Sequence, residues 1–574
     1  MDRNRAALKT IALWLPPLAF LGLFYFYPLG TILQASFARA TGGLAAHLID
    51  VLTSPSVRNV VGFTVGQALL STLLTLAFGM PAAYIMARYR FPGKVFVQAL
   101  AGIPFVMPTL VVAAAFNALL GPRGWVNLTL MAAFNLSQPP VQFVNSLGAI
   151  LAAHVFYNTT IVLRLVGDFW SHLDPRMSQA AQVLGASRWQ ALRHVTLPLL
   201  APAITTAALL VFIFDFTSFG VILVLGGPRF ATLEVEIYYQ TVALFNLPLA
   251  ATLSVLQLGC TLLLTLAYTR LSARMTQPMH LRPQHYTQRK LSSGRSRLAA
   301  GLVIGLLLLL LTLPLAALAA RSFARLDPER GQRVVVYPGL TLAYYRELSI
   351  NRRGSLFYVP PTTAIGISLG YACATVLLAL AIGLPASWAL ARQDEPRLAN
   401  RLNRSLDALL MLPLGTSAVT LGLGFIIALD HPPLDLRTSP VLVPVAHTLV
   451  AFPFVVRSLT PALRSIRPRL RQAAATLGAA PLQVLRHVDL PLVGRAVLIG
   501  ATFAFSISLG EFGATALISR PEYPTIPVMI YRFLSQPGAL NYGQALALST
   551  ILMVVCAAGM LFIERLRLAE VGEF

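Results

Sequence analysis

Two segments hold the residues whose types and spacing could do work. Residues 175–199 read PRMSQAAQVLGASRWQALRHVTLPL and residues 468–492 read PRLRQAAATLGAAPLQVLRHVDLPL, with 16 of 25 positions identical, without a gap, at a constant offset of 293. Shared hydrophobicity does not produce such agreement, because the identities include Gln179/Gln472, Arg193/Arg486 and His194/His487. The chemistry on offer is mechanical rather than catalytic. Gln179-Ala180-Ala181 and Gln472-Ala473-Ala474 enter a short helix that Gly185 and Gly478 can end. Leu197-Pro198 and Leu490-Pro491 then open the next apolar run, where Pro is tolerated in a first turn. Ala and Gly side chains are small enough to let another protein's groove approach the backbone closely.

The remaining reactive types are scattered. Asp215 and Glu511 sit inside apolar runs, Asp215 roughly 25 Å along its helix from Pro198 at 1.5 Å per residue. An acid at such depth marks a solute pathway or a buried hydrogen-bonded pair. Acids lining an outer gate would suit a cationic solute. Phe219 and Phe512 follow them as candidate gate aromatics, with plain packing as the alternative. His194 and His487 stand at the inner ends of their helices, where favourable interaction with the helix terminus explains them better than a metal. Arg164 and Arg457 suit snorkelling to inner headgroups. Cys260, Cys373 and Cys556 lie singly in apolar runs and build neither a disulfide framework nor a metal site. No GxxxxGK[ST] loop occurs, so the chain has no phosphate cradle with which to hydrolyse ATP.

The elements that position these residues follow from composition. The chain has 574 residues, 56% hydrophobic and 11% charged, with mean hydropathy +0.70. A soluble domain carries roughly a quarter charged residues, so the bilayer must be the solvent for most of this one. The net charge of +23 sits in short loops between apolar runs rather than in one stripe, which excludes nucleic-acid binding. Runs long enough to span are expected near 11–35, 60–87, 96–119, 144–166, 196–225 and 248–271. A second six follow near 299–321, 361–390, 405–429, 440–460, 492–518 and 544–564. The first is too long for a signal peptide. Most Lys and Arg fall in alternate loops, which puts both termini and both repeated segments on the cytoplasmic side.

The repeat register extends beyond the loops. Ala153-His154 pairs with Ala446-His447, Phe219-Gly220 with Phe512-Gly513, Thr232 with Thr525, and Tyr238 with Tyr531. Both copies follow an even number of spans, so the repeat is parallel and implies a pseudo-twofold axis along the membrane normal. The expected fold is an all-α integral membrane protein of about 12 transmembrane helices in two parallel six-helix halves. The halves cover residues 1–272 and 298–574, joined by a basic cytoplasmic linker at 273–297.

The loop pattern resembles the EAA loop of ABC importer permeases, EAA-x3-G-x9-I-x-LP, here present twice. The chain is similar to the branch of fused, binding-protein-dependent type I permeases that includes thiamine and ferric-iron importers. The resemblance implies that Gln179, Ala180, Ala181, Gly185, Leu197 and Pro198, with Gln472, Ala473, Ala474, Gly478, Leu490 and Pro491, couple the chain to cytoplasmic ATPase subunits, two of them. Gln179 and Gln472 depart from the family's Glu and remove a charge from each docking helix. Stretches 151–158, 216–228 and 232–240 look like the corresponding segments of thiamine permeases. The implied function is ATP-driven import of a small cationic solute, thiamine first, with ferric iron, polyamine or phosphonate as alternatives. The resemblance further implies an extracytoplasmic solute-binding protein, location in the bacterial inner membrane, no catalytic residues, and no cofactor on this chain, ATP and Mg being used by the partner ATPase. A secondary transporter would need several buried mid-membrane charges and no repeated polar inner loops, and a membrane enzyme would need a clustered His/Asp/Glu constellation; the sequence has neither.

Overall fold

The computed structural model describes residues 2–37, 44–275, 287–326, 339–350, 359–391, 397–431, 434–466 and 468–571. Parts of the segment between residues 322 and 361, and the middle of the basic linker, lie outside them. Among the described residues, eleven helices are long and apolar enough to cross a membrane. In chain order these are span 1 (Ala12–Phe37), span 2 (Pro55–Arg88), span 3 (Thr109–Phe134), span 4 (Leu147–His172), span 5 (Arg188–Phe216), span 6 (Leu247–Leu271), span 7 (Gly294–Ser322), span 8 (Pro361–Ala391), span 10 (Leu442–Ser465), span 11 (Leu485–Gly510) and span 12 (Ala539–Arg565). Span 9 is a broken pair, Ser405–Gly415 and Ala418–Ala428, bent by 95°.

Three expectations change here, each for a local reason. A straight helix over 405–429 fails because Pro413 and Gly415 end the first piece, and Ser417 caps the second by accepting from the Thr420 N–H at 3.1 Å. The run 96–119 breaks at Met107-Pro108, where Met107 is extended (ψ 133°), the conformation a following proline favours; Lys94–Val106 is a separate short helix and span 3 starts at Thr109. The runs 196–225 and 492–518 stop at Phe216 and Gly510, and short helices Gly220–Leu225 and Thr515–Ile518 follow the breaks.

The chain forms two compact units, and they are not the two sequence halves. Unit 1 comprises residues 1–47, 237–255 and 325–574; unit 2 comprises 48–236 and 256–324. The boundary at 272/298 therefore divides the repeat but not the packing. Each unit takes in the first span of the other half. In unit 1 the Tyr25 hydroxyl is 2.6 Å from Thr416 Oγ1, and Gly424 lies so near Pro28 that an added Cβ would stand 3.0 Å from the proline Cβ. In unit 2 span 7 runs beside span 3, with Arg321 donating to the Arg123 carbonyl at 2.9 Å.

Within each unit the fourth or tenth span is the most enclosed. Gly79 of span 2 and Gly383 of span 8 make that possible: a Cβ there would lie 2.8 Å from Val162 and 2.9 Å from Val455, repeat-equivalent residues of spans 4 and 10. Small residues at such crossings let backbones approach, which is how helices pack without a hydrophobic driving force between them. In unit 2 the linker is not free. Arg289–Lys290 pairs in parallel with Tyr89–Arg90, and the Thr287 hydroxyl donates to the Ser171 carbonyl at the end of span 4. Beside this clip, burial and then the neighbouring Arg90 lower the Lys94 pKa to about 8.

Candidate functional site

The two repeated loops fold alike. The first loop helix is Arg176–Val183 and the second Pro468–Thr476. Gly185 (φ 93°) and Gly478 (φ 84°) take the left-handed conformation just past their ends. The Ala186 N–H reaches the Ala181 carbonyl and the Gly185 N–H the Gln182 carbonyl; the Ala479 N–H reaches Ala474 and the Gly478 N–H reaches Ala475. This paired 6→1 and 5→2 closure is a Schellman motif. It explains the spacing: the second Ala of each triplet supplies the carbonyl that closes the turn, and the Gly four residues later supplies the positive φ. Nothing lies within 4 Å of a Cβ added at either glycine, so the demand there is conformational rather than steric.

After the turn, Ser187 and Gln190 form a reciprocal capping box opening Arg188–Ala191. The second copy keeps half of it, the Ala480 N–H donating to Gln483 Oε1 at 2.8 Å. One turn of wider helix, Leu192–Thr196 or Leu485–Asp489, then leads straight into Leu197 or Leu490. Each loop helix is thus joined to span 5 or 11 through one glycine hinge and a continuous helical segment.

Sequence reasoning missed the outer face of these helices. Met177 and Leu184 are 53% and 88% exposed, and their equivalents Leu470 and Leu477 are 47% and 88% exposed. With Ala180 and Ala181, or Ala473 and Ala474, they stand at i, i+3, i+4 and i+7, one helical stripe. The signal was in the sequence as an apolar period crossing a polar loop. Gln179 and Gln472 are exposed beside it. His194 and His487 are exposed, each with Nδ1 near the carbonyl four residues earlier, at 3.1 and 3.0 Å. The second loop has an addition: Arg471 Nε lies 2.8 Å from Asp489 Oδ1 and its guanidinium lies over the Trp388 ring, where the first loop has Ser178 and Thr196.

The intramembrane acids are buried, each within one unit. Asp215 (1% exposed) accepts from Asn158 Nδ2 at 2.7 Å and stands 3.3 Å from His154 Nδ1. Ser71 Oγ is 3.0 Å from the same nitrogen and Ser218 Oγ is 2.8 Å from Nε2. Glu511 accepts from the Ala514 and Thr515 N–H groups and the Thr515 hydroxyl, and its Oε2 is 3.2 Å from His447 Nε2. Ser508 Oγ lies 2.8 Å from His447 Nδ1. His154 and His447, which drew attention only as a repeat match, are the centres of these networks. Phe219 and Phe512 are buried (7% and 3% exposed), and the Phe512 ring packs 5.4 Å from Tyr531.

Two parallel six-span halves, each with a glycine-ended loop helix joined to its fifth span, define a multi-pass membrane permease. The model of the family described as the binding-protein-dependent transport system inner membrane component matches residues 79–277. The thiamine transport system permease protein of Brucella abortus (strain 2308) is 30% identical over 511 residues, 88% of this chain and 87% of the relative. Those of Salmonella typhimurium and Escherichia coli (strain K12) are each 28% identical, the first covering 93% of this chain and 96% of its own length, the second 88% and 89%. The chain belongs to this family: it is a fused type I ABC importer permease of the inner membrane, and a transporter rather than an enzyme.

Proposed function

We propose that this permease carries thiamine into the cytoplasm, in a complex with two ATPase subunits and an extracytoplasmic thiamine-binding protein. The cargo reading rests on one observation: relatives matching nearly the whole chain at 28–30% identity are thiamine transport permeases. The ATPase reading rests on the matched apolar stripes, Met177/Leu184 and Leu470/Leu477, exposed at the same positions of both loops. Two leucines left 88% exposed at equivalent positions call for a partner groove to cover them.

In this mechanism the loops face the cytoplasm and both termini lie there. ATP closes the ATPase pair, which draws the two loop helices together. The glycine hinges let each helix turn with its groove, while the unbroken helical segment beyond moves span 5 or 11. The outer side opens to the binding protein, and hydrolysis returns the resting form. Nucleotide shifts this equilibrium only by its differential affinity for the two states.

The test is reconstitution in proteoliposomes with the ATPase and the binding protein. ATP-dependent uptake of labelled thiamine, unaffected by excess ferric iron, is the expected result. Uptake of labelled ferric iron instead would overturn the cargo assignment. Binding-protein-stimulated ATPase activity that survives Leu184→Asp together with Leu477→Asp would overturn the coupling assignment.

A further inference from the structure

The clip that holds the linker in unit 2 sets cation against cation. Its register pairs are Tyr89 with Arg289 and Arg90 with Lys290. Register partners on neighbouring strands send their side chains to the same face, only a few ångströms apart, where like charges oppose each other. Arg90, Arg289 and Lys290 are all exposed. Two more cations flank the first strand: Arg88 donates to the Leu173 carbonyl at 3.0 Å, and the Lys94 amine donates to the Tyr89 carbonyl at 3.2 Å. Carbonyl oxygens accept these bonds but carry no full charge to cancel. The acids nearby are Asp168, acting on Lys94, and Asp174, acting on Arg88. Arg90, Arg289 and Lys290 are left over. Span 7 then begins four residues after Lys290, with Arg295 and Arg297 and no acid in its first turn.

The same place has the marks of a membrane surface. Tyr84 packs against Tyr89 and Trp170, with ring centroids 5.9 and 5.2 Å apart, and such amphipathic rings collect at headgroup depth. Immediately past the cations the exposed side chains turn apolar. Val95 and Phe96, which follow Lys94, are 55% and 64% exposed; Leu298 and Leu302, which follow Arg297, are 75% and 67% exposed. An anionic phospholipid matches both features at once, since its phosphate answers the charges while its acyl chains cover the apolar side chains. A water-borne anion would leave those side chains bare.

We propose that the clip is a binding site for the headgroup of an anionic phospholipid, whose phosphate lies between Arg90 and Lys290. The lipid turns a repulsion across the ribbon into two charge-assisted contacts and fastens the linker to the turn that follows span 2. Through Arg88 and Thr287 the fastening reaches Leu173 and Ser171, which lead from span 4 towards the first loop helix. The site concerns the membrane rather than the cargo and holds whatever the solute is.

The experiment uses the full chain in nanodiscs of phosphatidylcholine containing a minor share of phosphatidylglycerol, with native mass spectrometry of the ejected protein. The most firmly held lipid is expected to be phosphatidylglycerol, and Arg90→Gln with Lys290→Gln is expected to cut that bound population several-fold. Arg90→Lys with Lys290→Arg, which keeps both charges, is expected to retain it. Arg188→Gln with Arg193→Gln, an equal loss of charge from exposed residues of the first loop, is expected to leave it unchanged. Retention that survives the Gln pair at the clip, is lost in the charge-preserving pair, or falls equally in the loop control overturns the site. Thermal unfolding gives an independent readout. Phosphatidylglycerol is expected to raise the midpoint of the wild-type chain by more than that of the Gln pair, and equal rises count against the clip. Inorganic phosphate added to discs of phosphatidylcholine alone is expected to leave the midpoint unchanged; a rise as large as that with phosphatidylglycerol overturns the lipid assignment in favour of a free anion.

Discussion

The two halves answer the same structural demand with different residues. His154 and His447 occupy equivalent positions and both are enclosed, each between a hydroxyl and a carboxyl. In the first half the acid is Asp215, on the Nδ1 side, and Ser218 faces Nε2. In the second half Ser508 stands where Asp215 would be and Glu511 where Ser218 would be, so the acid is on the Nε2 side. The upstream hydroxyls follow the same pairing, Ser71 beside His154 and Thr375 beside Ser508 at 3.2 Å. What the repeat preserves is a satisfied buried imidazole at the break that ends the fifth span; which neighbour supplies the acid has been free to change. The loops show the same division, with the Schellman turn kept to the residue while an Arg471–Asp489 pair exists in one copy only.

The largest expected effect separates the two acids. Glu511→Ala removes the acceptor for three donors and the neighbour of His447, and each buried donor left without a partner costs about 1–3 kcal/mol. Asp215→Ala strips partners only from Asn158 and His154, so thermal unfolding in detergent should show a smaller loss. Equal losses would erase the distinction between the halves. Next come the hinges. Gly185→Val and Gly478→Val each force a β-branched residue to positive φ at about 1–2 kcal/mol, and binding-protein-stimulated ATPase activity should fall more than folded yield does. A smaller effect sharpens the comparison directly. Asp215→Ser combined with Ser218→Glu rebuilds the second half's arrangement in the first, and should lie within about 1.5 kcal/mol of wild type, the range of one hydrogen bond; Ser218→Glu alone, with two acids on one imidazole, should be the worse variant. Arg471→Ala takes the donor from a buried Asp489 carboxyl, at about 1–3 kcal/mol; smallest is Ser178→Ala at the equivalent position of the first loop, with no measurable change.

Much of this could be read from the chain. The number of apolar runs, the repeat, the parallel arrangement and the glycine-ended loop helices all rest on local signals, namely spacing, periodicity and small residues. The breaks were less legible. Met107-Pro108 and the Pro413–Ser417 stretch punctuate their runs plainly, yet mean hydropathy carries across them, and only the backbone shows that two helices stand where one was expected. Asp215 and Glu511 could not be assigned between pathway and network, because that depends on His154 and His447, 61 or 64 residues away in sequence and adjacent only after folding. The reassortment of spans into units was invisible for a similar reason. A duplicated sequence announces its copies but not which copy covers which surface.

That reassortment has a consequence for assembly. Because Tyr25, Pro28 and Ile32 fit against Thr416 and Gly424, the second half's core is unfinished until a helix made nearly four hundred residues earlier settles on it. Expressed as two fragments severed near residue 285, neither piece would hold all of its own lining, and each would present a bare apolar groove to lipid or to a wrong mate. Keeping both on one polypeptide makes that search intramolecular, with the high effective concentration that tethering brings. It also fixes the stoichiometry at one of each.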